Sequence, residues 1–172
     1  MARISEDEDL RDFTLESEEG SKFPCHRIVL AAQSSVLKRM FLEEMEEMEE
    51  RETSSLKLQY KDDVVRKFMK FFYKRELEEE EEEENLRCFL ELAEKYDLPH
   101  LKEEVEELAI RKLTVENMVD MFLLADFHSA EGLRNAAEGF IKTNRMKVKE
   151  DSDELDKLER DQAMKIMKIC IV

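Results

Sequence analysis

The stretch Phe23-Pro24-Cys25-His26-Arg27-Ile28-Val29-Leu30-Ala31-Ala32-Gln33-Ser34-Ser35-Val36-Leu37-Lys38-Arg39-Met40-Phe41 decides how this chain is organised. It is the longest run that is neither acidic nor strongly polar. A short extended piece ends at Pro24. Val29 and Leu30, Val36 and Leu37, and Met40 and Phe41 then recur at steps that place apolar side chains on one helix face. Ser34-Ser35 interrupts the pattern and can cap a second helix, from Val36 to about Met45. Directly after Phe41 comes Leu42-Glu43-Glu44-Met45-Glu46-Glu47-Met48-Glu49-Glu50. A buried helix running into an exposed, Met-studded acidic loop predicts a core element that presents something.

Upstream, residues 1–11 are acidic and expected to be frayed. Asp12–Ser17 alternates as a strand, Glu18-Glu19-Gly20-Ser21 reads as a turn, and Lys22–Cys25 returns, which makes a hairpin. Downstream, Ser55–Tyr60 alternates as a third strand. Asp62 is the expected N-cap of a helix carrying Val64, Val65, Phe68, Met69 and Phe72 on one face. Glu78–Glu84 is a glutamate run that repels itself and reads as a solvated loop. Four helices with short connectors follow, expected to lie as antiparallel neighbours. Asn85 is expected to cap Leu86–Tyr96, and Leu101–Leu113 comes next. Thr114 is expected to cap Val115–Phe127, and Ser129 to cap Ala130–Thr143. From about Asn144 the chain is densely charged, and Leu155, Leu158, Ile166 and Ile169 form a thin apolar stripe. This stretch reads as a marginal helix or tail that needs a partner surface to order.

At 172 residues with 42% apolar side chains, the chain can bury a core as one domain with an appendage. Its net charge of −16 argues against nucleic acid and anionic membranes, and for partners with basic or mixed surfaces. Cys25, Cys88 and Cys170 are far apart and form no CxxC, as expected of free thiols in a reducing, intracellular compartment. The first residues lack the apolar core of a signal peptide, and Cys170 is one place too late for a prenylation box. Three glycines and two prolines leave little room for a turn-rich β architecture, so the fold class expected is α+β and mostly helical.

No catalytic constellation stands out. His26, His100 and His128 lack partners at metal-ligand spacing and read as capping or buried structural histidines. Ser34-Ser35 lacks the glycines of a nucleophile elbow, and three glycines cannot build a phosphate loop. The carboxylate pairs lie in solvated runs. The expectation is therefore no enzyme, no cofactor and no metal. Met45 and Met48 fit a core at helical spacing and fit an adaptable binding surface equally well.

Asp12…Phe23-Pro24-Cys25-His26-Arg27-Ile28-Val29-Leu30-Ala31-Ala32-Gln33-Ser34…Phe41 resembles the signature of BTB/POZ domains. The likeness continues through Lys95-Tyr96-Asp97-Leu98, Leu113-Thr114-Val115-Glu116-Asn117 and Leu124-Ala125-Asp126-Phe127-His128-Ser129-Ala130. That last portion is most similar to the speckle-type POZ proteins, substrate adaptors of cullin-3 ubiquitin ligases. The resemblance implies a BTB/POZ fold over 12–113, with a small three-stranded sheet capped by a helical cluster. It further implies a two-helix 3-box over 114–143, leaving 1–11 as a disordered acidic terminus and 144–172 as a charged tail.

The resemblance also implies the partners: the N-terminal region of cullin-3, and a homodimer or a heterodimer with BTB relatives. Phe41, Leu42, Met45, Glu46, Glu47 and Met48 map onto the cullin-binding segment. There Met45 would fill an apolar pocket and Glu47 would accept hydrogen bonds. Met48-Glu49-Glu50 repeats that pattern three residues on. Asp12 and Arg27 match the family's charged pair in the dimer groove, with Val29 beside them. Departures are visible. Residues 1–11 hold only Ile4 and Leu10 where relatives begin with a leucine-bearing dimer helix, a Tyr-Thr-Gly turn reads Tyr73-Lys74-Arg75, and the expectation is a member of this family without the MATH domain. The leading functional reading is an adaptor that presents substrates for ubiquitination and proteasomal degradation, in the nucleus or cytoplasm. A non-ligase dimerisation or decoy module and a monomeric assembly subunit are the alternatives.

Overall fold

A computed structural model of the chain describes residues 10–47, 55–78, 83–150 and 158–171. It forms two compact units, to Val105 and from Glu106, and the division falls inside one helix.

The first unit begins with β1 (Phe13–Glu16), whose alternation turns Phe13 and Leu15 inward. The turn that follows needs Gly20, which has φ +84. β2 (Lys22–Cys25) returns antiparallel, pairing Leu15 with Phe23. β3 (Ser55–Lys57) lies parallel on the other side of β1, pairing Leu15 with Leu56. Pro24 is tolerated because β2 is a sheet edge, where a missing N–H costs no ladder bond. β3 is shorter than the expected Ser55–Tyr60. Leu58 still donates to Glu16 O at 2.8 Å, but the chain then bends so that Tyr60 O accepts from Glu18 N.

Among the described residues two helices separate β2 from β3: α1 (Arg27–Ala31) and α2 (Ser35–Glu47). Ser34 does cap the second, its Oγ accepting from Leu37 N at 3.0 Å while donating to Tyr96 O. The acidic stretch after Phe41 is helix through Glu47 rather than loop, which extends α2 beyond Met45.

α3 (Asp62–Lys74) carries the largest block of core, with Val64, Val65, Phe68, Phe71 and Phe72 buried. Burying each such ring contributes on the order of 1.5–3 kcal/mol. The Phe68 ring meets Phe72 edge-on at 5.1 Å and Tyr96 at 5.9 Å. Met69, expected on this face, is only half-buried, and Phe71 takes its share. Lys61, not Asp62, holds the N-cap position. Asp62 is drawn instead to the β1–β2 turn, accepting from Ser17 Oγ at 2.5 Å and Ser21 Oγ at 2.6 Å. These bonds hold its carboxyl below the ordinary range, the Ser17 bond contributing most. At the other end Arg75 occupies a left-handed cap with φ 60, where the Tyr-Thr-Gly turn would place glycine.

α4 (Glu83–Lys95) starts two residues before Asn85, which was expected to cap it. Glu83 and Glu84 therefore stand in its first turn, where negative charge favours the helix dipole, rather than in a loop. Asn85 reaches across to Asp63 Oδ2 at 3.5 Å. Of the glutamate run, 79–82 lies outside the described residues. α5 (Pro99–Arg111) begins with proline, whose fixed φ suits a first helical position, and starts before the expected Leu101.

The second unit holds the end of α5, then α6 (Met118–Phe127), α7 (Glu131–Thr143), α8 (Arg145–Glu150) and α9 (Arg160–Ile171). Helices are present within both stretches expected to be helical, 115–127 and 130–143, but their starts differ. Thr114 does not cap α6. Asn117 holds that position, and the two residues exchange bonds, Thr114 N to Asn117 Oδ1 at 2.7 Å and Asn117 N to Thr114 Oγ1 at 3.3 Å. Ser129 does not cap α7 either; it sits at φ 48, and Ala130 takes the cap position without a side-chain bond. Glu106 supplies the missing acceptor, taking Leu133 N at 3.0 Å.

The charged tail finds its ordering surface within the chain. Ile166, Ile169 and Cys170 of α9, with Val148 of α8, share one buried cluster with Met118, Val119, Phe122, Ala137 and Ile141. Leu158 lies against this cluster, and Leu155 falls outside the described residues.

Candidate protein-binding surface

Asp12 and Arg27 do meet. The first N–H of α1, that of Arg27, donates to Asp12 Oδ1 at 2.9 Å, and Arg27 Nε donates to Asp12 O at 3.4 Å. Asp12 itself is tied to the hairpin through its N–H to Cys25 O at 3.2 Å. The guanidinium lies 5.3 Å from the centroids of both Phe13 and Phe41, rings that meet edge-on at 4.8 Å. Asp12 thus caps α1 from fifteen residues away, and Arg27 covers an aromatic pair with a cation–π contact. Val29, the third residue of this group, is buried beneath α1.

Phe41 and Leu42 part company. Phe41 is buried in the Phe13 contact and supports the segment from below. Leu42, 53% exposed, is the apolar side chain offered outward. α2 carries on for five residues past Leu42, so Met45, Glu46 and Glu47 stand within about 8 Å of it along the axis at 1.5 Å per residue. Met48 lies outside the described residues.

A second outward residue escaped the sequence reading. Ile28 is 76% exposed on α1, between Arg27 and buried Val29. Its signal was one of phase. The pairs 29/30, 36/37 and 40/41 define an inward face, and Ile28 falls off it. Leu10, 65% exposed, precedes the Asp12 cap on the same hairpin.

Two of the three histidines are buried. His26 is buried, its backbone N–H donates to Tyr73 Oη at 3.1 Å, and its Nδ1 lies 2.8 Å from that oxygen. Burial raises the Tyr73 pKa, which keeps the phenol protonated. His128 is buried against the edge of the exposed Phe127 ring, and His100 lies against Phe71. Burial pushes the Cys25 thiol up to about 12 and raises Cys88 as well, which keeps both as thiols at neutral pH. Among the described residues no three His, Cys, Asp or Glu side chains gather as a metal site would require. One cleft, of about 110 Å³, is lined by Lys67, Lys70, Lys74, Glu76, Leu77 and Glu78, small against the roughly 300–1,000 Å³ of small-molecule sites. Among the described residues no helix is long and apolar enough to cross a membrane.

A three-stranded sheet with a helical cluster, and an apolar residue presented outward from α2, is a build that suits protein interaction. The BTB/POZ domain model matches residues 1–113, and the chain belongs to the BTB/POZ family. It is similar to TD and POZ domain-containing protein 5 of Mus musculus, 34% identical over 134 residues. That alignment takes in 78% of this chain and 39% of the relative's length. Among solved structures the chain is similar to the BTB domain of zebrafish PATZ1, with a TM-score of 0.50 and 18% identity, covering 65% of this chain and 85% of that one. At that identity the likeness speaks for the fold alone.

Proposed function

We propose that this BTB/POZ chain is an adaptor that binds the N-terminal region of cullin-3 and presents substrates to the ligase, in the nucleus or cytoplasm, without catalysis of its own. The observation that carries the reading is the split between Phe41 and Leu42. A buried aromatic fixes the helix, and the next residue turns outward at the head of an acidic, Met-bearing last turn. One apolar anchor among polar neighbours concentrates energy in a small interface. The test is isothermal titration of the full chain with a cullin-3 N-terminal fragment. Met45→Ala with Glu47→Ala, alone and combined with Leu42→Ala, should weaken binding by about tenfold or more, as loss of one anchor does. Undiminished binding in those variants and in Met48→Ala would exclude this contact.

Exposed Ile28 beside the Asp12–Arg27 pair favours a second reading, a dimerisation or decoy module that pairs with relatives. It predicts that light scattering gives a dimer mass, lost in Ile28→Asp, with no heat on titration of cullin-3.

A further inference from the structure

We propose that the outward face of α9 is a docking surface for an acidic amphipathic helix of a partner protein. One side of α9 is already spent, with Ile166, Ile169 and Cys170 buried in the second unit. The opposite side holds Met164, Met167 and Ile171, exposed by 46%, 53% and 78% and spaced i, i+3, i+7 as one stripe. An ordinary surface helix turns its polar side outward once its apolar side is buried, whereas α9 also turns three apolar side chains outward among its charges. Exposed apolar residues scattered singly would mean nothing; three on one stripe of an anchored helix are a patch.

Charge selects the occupant. Arg160 and Lys168, both exposed, border the stripe on the outward side. α9 carries Arg160, Lys165 and Lys168 against Asp161 alone, within a chain of net charge −16. Lys165 is turned to Asp126, 2.5 Å away, and helps to anchor the helix. A partner helix with apolar anchors at the same spacing and flanking Asp or Glu meets apolar surface with apolar surface and cation with carboxylate. Two such faces from two copies would bring like charges together, and an anionic bilayer is broad enough to meet the chain's net charge of −16, whereas a single helix meets only the cations within a Debye length of the stripe. Flexible thioethers let such a face adapt to the partner's anchors. This surface lies apart in sequence from the α2 segment, and its test does not depend on cullin-3.

The probe is a fluorescein-labelled peptide of about four helical turns, with leucines at helical spacing and glutamates between them, followed by anisotropy against the full chain. Binding should be seen at low salt and weaken as salt rises. Met164→Ser with Met167→Ser and Ile171→Ser should weaken it by about tenfold or more, and so should Arg160→Glu with Lys168→Glu. Helix content by circular dichroism should hold in both variants, because every substituted side chain is outside the core. The α2 variants Met45→Ala and Glu47→Ala should bind the peptide as the unaltered chain does. No binding by the unaltered chain, or equal binding by both α9 variants, overturns the proposal. Loss in the α9 variants of co-sedimentation with phosphatidylserine vesicles, or of self-association by light scattering, would assign the face to a membrane or a second copy instead.

Discussion

The chain up to Val105 carries 17 Lys and Arg against 30 Asp and Glu, and from Glu106 onward it carries 11 against 14. The two units differ as much in what they hide. In the first, five phenylalanines are fully buried, and the large apolar side chains left exposed among the described residues are Leu10, Ile28 and Leu42. In the second, Ile110, Phe127, Met146, Met164, Met167 and Ile171 are exposed. The first unit closes its core with rings reached from distant parts of the chain, β1, α3 and α4 together. The second has only helices as regular elements among the described residues and closes with α9. An aromatic core tied to a sheet can leave one or two residues outward at chosen points, such as Leu42. A helix sealed by three residues of a single face leaves its other face to be used.

The sharpest way to break this contrast is to cut each core at its centre. Phe68→Ala should cost about 3–5 kcal/mol, because a ring touching Phe72 and Tyr96 leaves a cavity that a sheet-backed core cannot collapse around. Ile166→Ala in α9 should cost less, near the lower end of roughly 2–5 kcal/mol, because a terminal helix can shift to fill the gap. Urea denaturation gives the two values. Hydrogen exchange should show faster amides in α9 for Ile166→Ala and in α3 for Phe68→Ala. Equal costs, with exchange spread evenly over the chain, would mean that the two cores do not differ as described.

Much of this was legible in the sequence, and several of the misses share a cause. The change from extended to helical spacing at Pro24 placed the hairpin, α1 and the start of α2, and the apolar face of α3 was read nearly as it stands, with Phe71 in place of Met69. Three helix starts were misplaced because a distant partner claimed or supplied the capping group, and a fourth because Asn117 took the cap from nearby Thr114. Asp62 was taken by Ser17 and Ser21, Asn85 by Asp63, and the start of α7 was served by Glu106 from another helix. The parallel pairing of β3 could not be read from three residues that contain a single apolar one. At the candidate site, Leu42 and Arg27 were found from family resemblance, whereas Ile28 and the Met164–Ile171 stripe needed burial to be known on the other face of each helix.

The first unit should also be the more acid-sensitive, through the Asp62 clamp on the hairpin turn. The folded carboxyl titrates below its ordinary value, so its stabilising effect is full above the unfolded carboxylate range. That effect is lost as pH falls through the lowered folded value. Asp63 adds the same sign, held down chiefly by its bond with Lys67. Asp62→Asn should therefore lower the urea midpoint at pH 7 and narrow the gap between the variant and the unaltered chain at pH 3. A gap that is constant with pH would show that the clamp works as a neutral hydrogen bond.

The smallest effect expected is at Gly132, and it probes how the second unit caps a helix without a local hydroxyl. A Cβ built there would stand 2.6 Å from Glu106 Oε2, the atom that accepts Leu133 N. The obstructing atom is the end of a flexible side chain, so Gly132→Ala moves the carboxylate rather than the backbone. Alanine also gains helix propensity of up to about 1 kcal/mol over glycine, against the roughly 0.5–2 kcal/mol a lost cap costs. The two nearly cancel, so the measured change should be a few tenths of a kcal/mol, with destabilisation favoured because the cap is also a charge at a helix N-terminus. Glu106→Gln separates the contributions, since it keeps an acceptor and drops the charge. In that background Gly132→Ala should become neutral or stabilising. If it destabilises by as much as before, Glu106 is not the cap of α7, and the second unit starts that helix without help from α5.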